Sequence, residues 1–228
     1  MPYISLAQAG DVNMLAFLDM IAWSEGTADT VHRLTRMDGY DVIVTGSSGP
    51  EIFTDFQTHP FSNGRAPKHI TRSLFSSASG RYQFLRTHWD HYRNLLNLQD
   101  FSPLSQDLWA IQLIRERNAL TDIRHGRIRE AITRCANIWA SFPGAGYGQP
   151  EHKMEQLLIV YQTALQKPGL PSDNLDDAQP DMLEDADIIN EIRLLRYETR
   201  ELRKLLEDKL KGKAHCYYRY TRGNKRLT

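Results

Sequence analysis

A chain of 228 residues, 41% of them hydrophobic, has the material for one packed domain of ordinary size and an appendage. Its 28 basic and 28 acidic residues cancel, which excludes an overall charge bias toward nucleic acid or anionic membrane. No run of about 18 apolar residues is present to span a membrane, Met1-Pro2-Tyr3-Ile4-Ser5 lacks a secretory pattern, and the two distant cysteines, Cys135 and Cys216, offer no disulfide framework and suit a reduced compartment.

Residues 1–10 read as a loose leader, after which Asp11 is placed to cap a helix running to about Glu25. Met14, Leu18, Ile21 and Glu25 follow at steps of four, three and four, so the glutamate prolongs an apolar stripe until Gly26 ends the helix. Burial at that lip disfavours the charged carboxylate and raises its pKa, as a general acid near neutrality requires. Tyr40–Val44 and Glu51–Asp55 read as two strands of an antiparallel hairpin, with Asp41 on the outward face. Residues 57–79 carry Pro60, Pro67 and a Ser/Ala run and read as loop. Helices are predicted from Gly80 to about Leu96, from the Ser102-Pro103 start to about Asn118, near Arg127–Trp139, and over Glu151–Gln166.

The character changes at residues 167–181, which hold three prolines and four aspartates and read as a linker. Over 182–212 a heptad seam runs through Ile188, Ile192, Leu195, Thr199, Leu202 and Leu206, a candidate for self-association or a partner helix within 188–206. A basic tail closes the chain over 213–228. The fold class is therefore α+β and helix-rich, with one small antiparallel sheet in a domain spanning 11–166 and a C-terminal helical extension.

A carboxylate-ended helix followed by a small sheet and a helical lobe is the plan of lysozyme-like domains. Trp23-Ser24-Glu25-Gly26-Thr27, Gly39-Tyr40-Asp41-Val42-Ile43-Val44, Phe53-Thr54-Asp55, Gly80-Arg81-Tyr82-Gln83 and Asn137-Ile138-Trp139-Ala140-Ser141, with Pro143-Gly144-Ala145-Gly146-Tyr147-Gly148-Gln149, strongly resemble the phage lambda endolysin family. The resemblance runs in order from about residue 13 to 166. It implies a lysozyme-like fold with a cleft, and a lytic transglycosylase that cuts the β-1,4 bond between N-acetylmuramic acid and N-acetylglucosamine in peptidoglycan. It makes Glu25 the catalytic acid. It also implies accumulation in the host cytoplasm and holin-dependent release to the cell wall, with no cofactor.

Asp41 is the leading second carboxylate in this reading, and Asp55 a weaker one. Tyr82, Gln83 and Tyr147 are candidates for contact with the glycan, the last because its flanking glycines allow close approach. Trp139 reads as core. His88 and His91 have no third ligand in sequence and do not make a metal site, and Ser24 has no histidine partner for a nucleophile. The alternatives are a hydrolytic muramidase with water as acceptor and a non-catalytic wall-binding or virion protein; nucleic-acid binding is disfavoured.

Overall fold

The computed structural model describes residues 1–71 and 73–167, so the predicted heptad helix and basic tail lie outside the described residues. Helix α1 (Leu6–Ala9) is closed by a capping box between Ser5 and Gln8. The expected loose leader is instead docked: Ile4 is buried, and the Tyr3 and Ile4 amides each donate 2.7 Å hydrogen bonds to Asp107. Helix α2 (Val12–Ser24) starts as predicted, with Asp11 accepting from the Met14 amide. It is buried on every side from Met14 to Ala22, the pattern of a central helix and not of a one-faced stripe.

Burial all round forces a solution for Asp19, which sits mid-helix at 6% exposure. Its carboxylate accepts from the fully buried Arg81 guanidinium and, at 2.7 Å, from Lys167. A buried charge is tolerated only when paired in this way.

Strands β1 (Val42–Gly46) and β2 (Gly49–Ile52) form the predicted hairpin, with Val42 opposite Ile52 and Gly46 opposite Gly49. A second hairpin lies inside the stretch expected to be loop: β3 (Lys68–Thr71) pairs antiparallel with β4 (Leu74–Ser76). It sits beside the first, since the Ser47 amide donates to the His69 carbonyl at 2.8 Å. Gly46 is required there, because a Cβ would meet that carbonyl oxygen at 2.6 Å. Pro60 and Pro67 lie outside these strands, so the proline signal was correct locally and extended too far.

Residues 79–84, expected to begin a helix, form a tight turn closed by the Ser79–Phe84 bridge. Gly80 and Gln83 take positive φ angles of 79° and 52°. A Cβ at Gly80 would overlap the Gln106 amide, which instead accepts from the Arg81 amide. Helix α3 (Arg86–Leu96) starts only after this turn. Then come α4 (Pro103–Glu116) with its Ser102 cap, α5 (Leu120–Arg124), α6 (Ile128–Cys135) and α7 (Met154–Leu165). Helix α7 packs along α2 through Leu157, Tyr161 and Ala164, and the Tyr161 hydroxyl donates to Asn13 at 2.7 Å. An aromatic cluster anchors the helical lobe, where Phe84 stacks on Trp109 at 4.0 Å and Trp89 meets Phe101 edge-on. The whole is the expected helix-rich α+β fold.

Arg81 neutralises Asp19 and Asp38 while fully buried. Arg81→Met removes the fully buried cation the two share, leaving Asp19 with Lys167 and Asp38 with the amino terminus, and should cost up to about 3 kcal/mol. Urea unfolding at neutral pH measures the loss; a change below about 1 kcal/mol contradicts the assignment.

Candidate functional site

A cavity of about 570 Å³ lies between the hairpins and the helical lobe. Val44, Ile70, Leu74 and Phe75 line one side, and Gln83, Asn137, Tyr147 and Gln149 are on its margin. Glu25 lines it too, and is the one carboxylate that does so among the described residues. A separate surface hollow of about 450 Å³ near Tyr3, Arg36 and Asp38 holds none of the predicted site residues.

Glu25 is the C-cap of α2, at the point where the buried helix reaches the cavity. Its amide closes the last helical turn onto the Ile21 carbonyl, which fixes the backbone under the side chain. The Ser141 hydroxyl donates to its Oε1 at 2.5 Å. Burial pushes the Glu25 pKa up to about 7, and the Ser141 hydroxyl and amide pull against that rise. The carboxyl is therefore poised near neutral pH, with Oε1 engaged by Ser141.

His152 holds the partners of this acid together. Its Nε2 lies 3.1 Å from the Ser24 carbonyl, its ring packs on Trp23, and its amide donates to the Ser141 carbonyl at 2.8 Å. Ser24 itself donates to Ile21 at 2.8 Å, a helix-end bond and not the posture of a nucleophile. The turn at 142–148 is fixed by Glu151, which accepts from the Gly144 and Gly146 amides at 2.8 and 2.9 Å. That sets Tyr147 at 56% exposure beside the cavity, its hydroxyl donating to the Asn137 carbonyl.

The other predicted site residues divide. Gln83 lines the cavity, its side chain held by the Gly80 carbonyl at 3.0 Å. Tyr82 reaches the cavity wall, but its hydroxyl is buried and donates to Asp107 at 2.5 Å, so that group is committed to the core. Asp41 does not face the cavity. It is 3% exposed and accepts from the Thr35 hydroxyl and, at 2.9 Å, from the Arg36 amide. The outward face expected for it is covered by the 27–39 segment, which this carboxylate clamps. Asp55 accepts from the Gln57 amide in an exposed turn and lines neither hollow. Trp139 is buried and donates to the Tyr82 carbonyl, as expected of core. Among the described residues no three His, Cys, Asp or Glu side chains converge as a metal site. Sequence reasoning missed Ser141 and His152, which lie more than 110 residues from Glu25 and carry no spacing signal.

The family model described as Endolysin matches residues 15–167. The endolysin of Escherichia phage P2 is 61% identical over 166 residues, covering 72% of this chain and 97% of that protein. The endolysin of Escherichia phage lambda is 54% identical over 149 residues, covering 65% and 89%. Two solved structures align over 72% of this chain and 97% of theirs: bacteriophage lambda lysozyme complexed with a chitohexasaccharide, with a TM-score of 0.61 at 49% identity, and lysozyme from bacteriophage lambda, with 0.59 at 48%.

Two outcomes follow from the opposed effects on Glu25. Ser141→Ala removes a donor that lowers the pKa, so the alkaline limb of the activity profile should move upward from about pH 7. A limb that stays put or falls contradicts that balance. The second concerns stability. The native pKa stands above the ordinary 4.5, so the native state holds a proton that the unfolded chain has released, and stability is lost as pH rises from about 4.5 through about 7. Glu25→Gln should therefore raise Tm above pH 7 and leave it unchanged below pH 4; the reverse pattern in thermal melts contradicts it.

Proposed function

The chain belongs to the endolysin family, and from its site we propose that the reaction is lytic transglycosylation with Glu25 as the acid. Membership makes it a lysozyme-like enzyme acting on peptidoglycan. The observation that favours transglycosylation is that Glu25, held near pKa 7, is the one carboxylate lining the cavity among the described residues. A glycosidase that activates water ordinarily needs a second carboxylate as nucleophile or base, within roughly 10 Å of the first. Asp41 and Asp55, the sequence candidates, are both committed elsewhere. A nucleophile already attached to the substrate removes the need for one.

In this mechanism protonated Glu25 gives its proton to the glycosidic oxygen as the bond to the muramyl anomeric carbon breaks. The resulting carboxylate then takes the proton of the muramyl 6-hydroxyl, which attacks the same carbon and closes the 1,6-anhydro ring. One group serves as acid and then base, a cycle that a pKa near the working pH allows. The relative that binds a chitohexasaccharide supports a groove suited to an extended amino-sugar chain. By family analogy the enzyme accumulates in the host cytoplasm and reaches the periplasm and wall through a holin-opened membrane. The seam at 188–206 supports self-association, which sedimentation of the full chain against one truncated after residue 167 would test.

Glu25→Gln should abolish release of fragments from purified peptidoglycan while the chain stays folded. Mass spectrometry of wild-type products should give muramyl ends one water lighter than hydrolysed ends. Full-mass reducing ends would establish the hydrolytic muramidase instead.

A further inference from the structure

The lining of the cavity extends onto the helical lobe, where its chemistry differs from the rest. Trp109, Leu113 and Arg117 succeed one another at steps of four, so they form one stripe along α4 and its C-cap. All three line the cavity, as do His88 and Tyr92 of α3. Two donors on this stripe are buried and unpartnered among the described residues: the indole N–H of Trp109 and the Nε–H of Arg117. Arg117 also forms no ion pair among the described residues. The adjacent Glu116 is engaged by the Tyr92 hydroxyl at 2.8 Å and the Gln112 amide at 3.0 Å.

Buried donors without acceptors are costly, and a guanidinium beside a cavity is matched by a planar carboxylate. In a stem-bearing peptidoglycan strand the sugars supply no such group, because their amines are acetylated and the muramyl lactyl carboxyl is tied up in the amide bond to the stem. The carboxylates of that polymer belong to the peptide stem attached to the muramyl lactyl group. Resting on the reading of the substrate as peptidoglycan, we propose that the α4 lining of the cavity binds the peptide stem, with Arg117 and Trp109 donating to a stem carboxylate. The enzyme then recognises its substrate at two places, the sugar chain beside Glu25 and the acidic stem at the α4 lining of the same cavity.

The test compares soluble uncross-linked strands that carry stems with the same strands stripped of stems by an amidase and capped as methylamides at the lactyl carboxylates this exposes. Arg117→Gln should lower kcat/KM about tenfold on stem-bearing strands, through KM, and leave turnover of stripped strands unchanged. Trp109→Phe keeps an aromatic ring and removes the indole N–H; it should give a smaller loss, again confined to stem-bearing strands. Calorimetric titration with the free stem tripeptide, L-alanyl-γ-D-glutamyl-diaminopimelate, should show binding to wild type and none to Arg117→Gln. Equal losses on both kinds of strand, no loss on either, or tripeptide binding unaltered by Arg117→Gln would overturn the proposal. Wild-type protein inert on both kinds of strand would overturn the glycosidase reading, while the tripeptide titration would still decide this one.

Discussion

The burial of Arg81 is the constraint on which both the fold and the site depend. A fully buried guanidinium is held only by groups brought to it from several directions. Asp19 comes from the middle of α2, Asp38 from the segment before β1, and the Tyr40 ring lies 5.2 Å from the guanidinium carbon. Its own backbone is equally engaged: its amide donates to Gln106 of α4, and its carbonyl accepts from the Thr27 hydroxyl at 2.6 Å. Thr27 is two residues past Glu25. The turn that carries Arg81 thus fixes the end of the helix from which the acid projects, and it does so from the side of the cavity where Gln83 also lies.

The acid is then tuned by a balance of opposed effects. Placing it at the end of a helix buried on every side removes water from the carboxyl and raises its pKa; Ser141 donates to it and restrains the rise. Desolvation alone leaves an acid that gives up its proton too reluctantly to return as a base. Strong hydrogen bonding alone leaves an ordinary carboxylate with no proton to give at neutral pH. His152 matters to this balance because it contacts both the Ser24 carbonyl and the Ser141 backbone, tying the helix end to the donor.

What was legible in the sequence is what local chemistry decides. The Asp11 and Ser102 caps, the first hairpin and the position of Glu25 at a helix end all follow from neighbours within a few residues. The Gly80–Gln83 turn was misread as helix because its shape is imposed by Gln106, a contact 25 residues away. Asp41 was misread for a related reason. Alternation along a strand assigns outward residues to solvent, but here the 27–39 segment covers that face and supplies donors for the carboxylate. Even the correct expectation of a raised pKa at Glu25 rested on a one-sided stripe, whereas the burial that raises it comes from packing around the entire helix.

The lining of the cavity combines two kinds of chemistry. The hairpin side presents Val44, Ile70, Leu74 and Phe75, with Leu74 41% and Phe75 59% exposed at the tip of the second hairpin. Large apolar side chains held in water in this way mark a surface meant to be covered. The lining also includes the amide residues Gln83, Asn137 and Gln149. A pyranose ring has the matching asymmetry, with an apolar face of C–H bonds and an equator of hydroxyl and acetamido groups. An apolar wall and several amide residues in one cavity match both parts of such a ring. In the proposed mechanism a single acid suffices only if the glycosidic oxygen and the 6-hydroxyl reach it in turn, so the shape of the walls would be part of that chemistry.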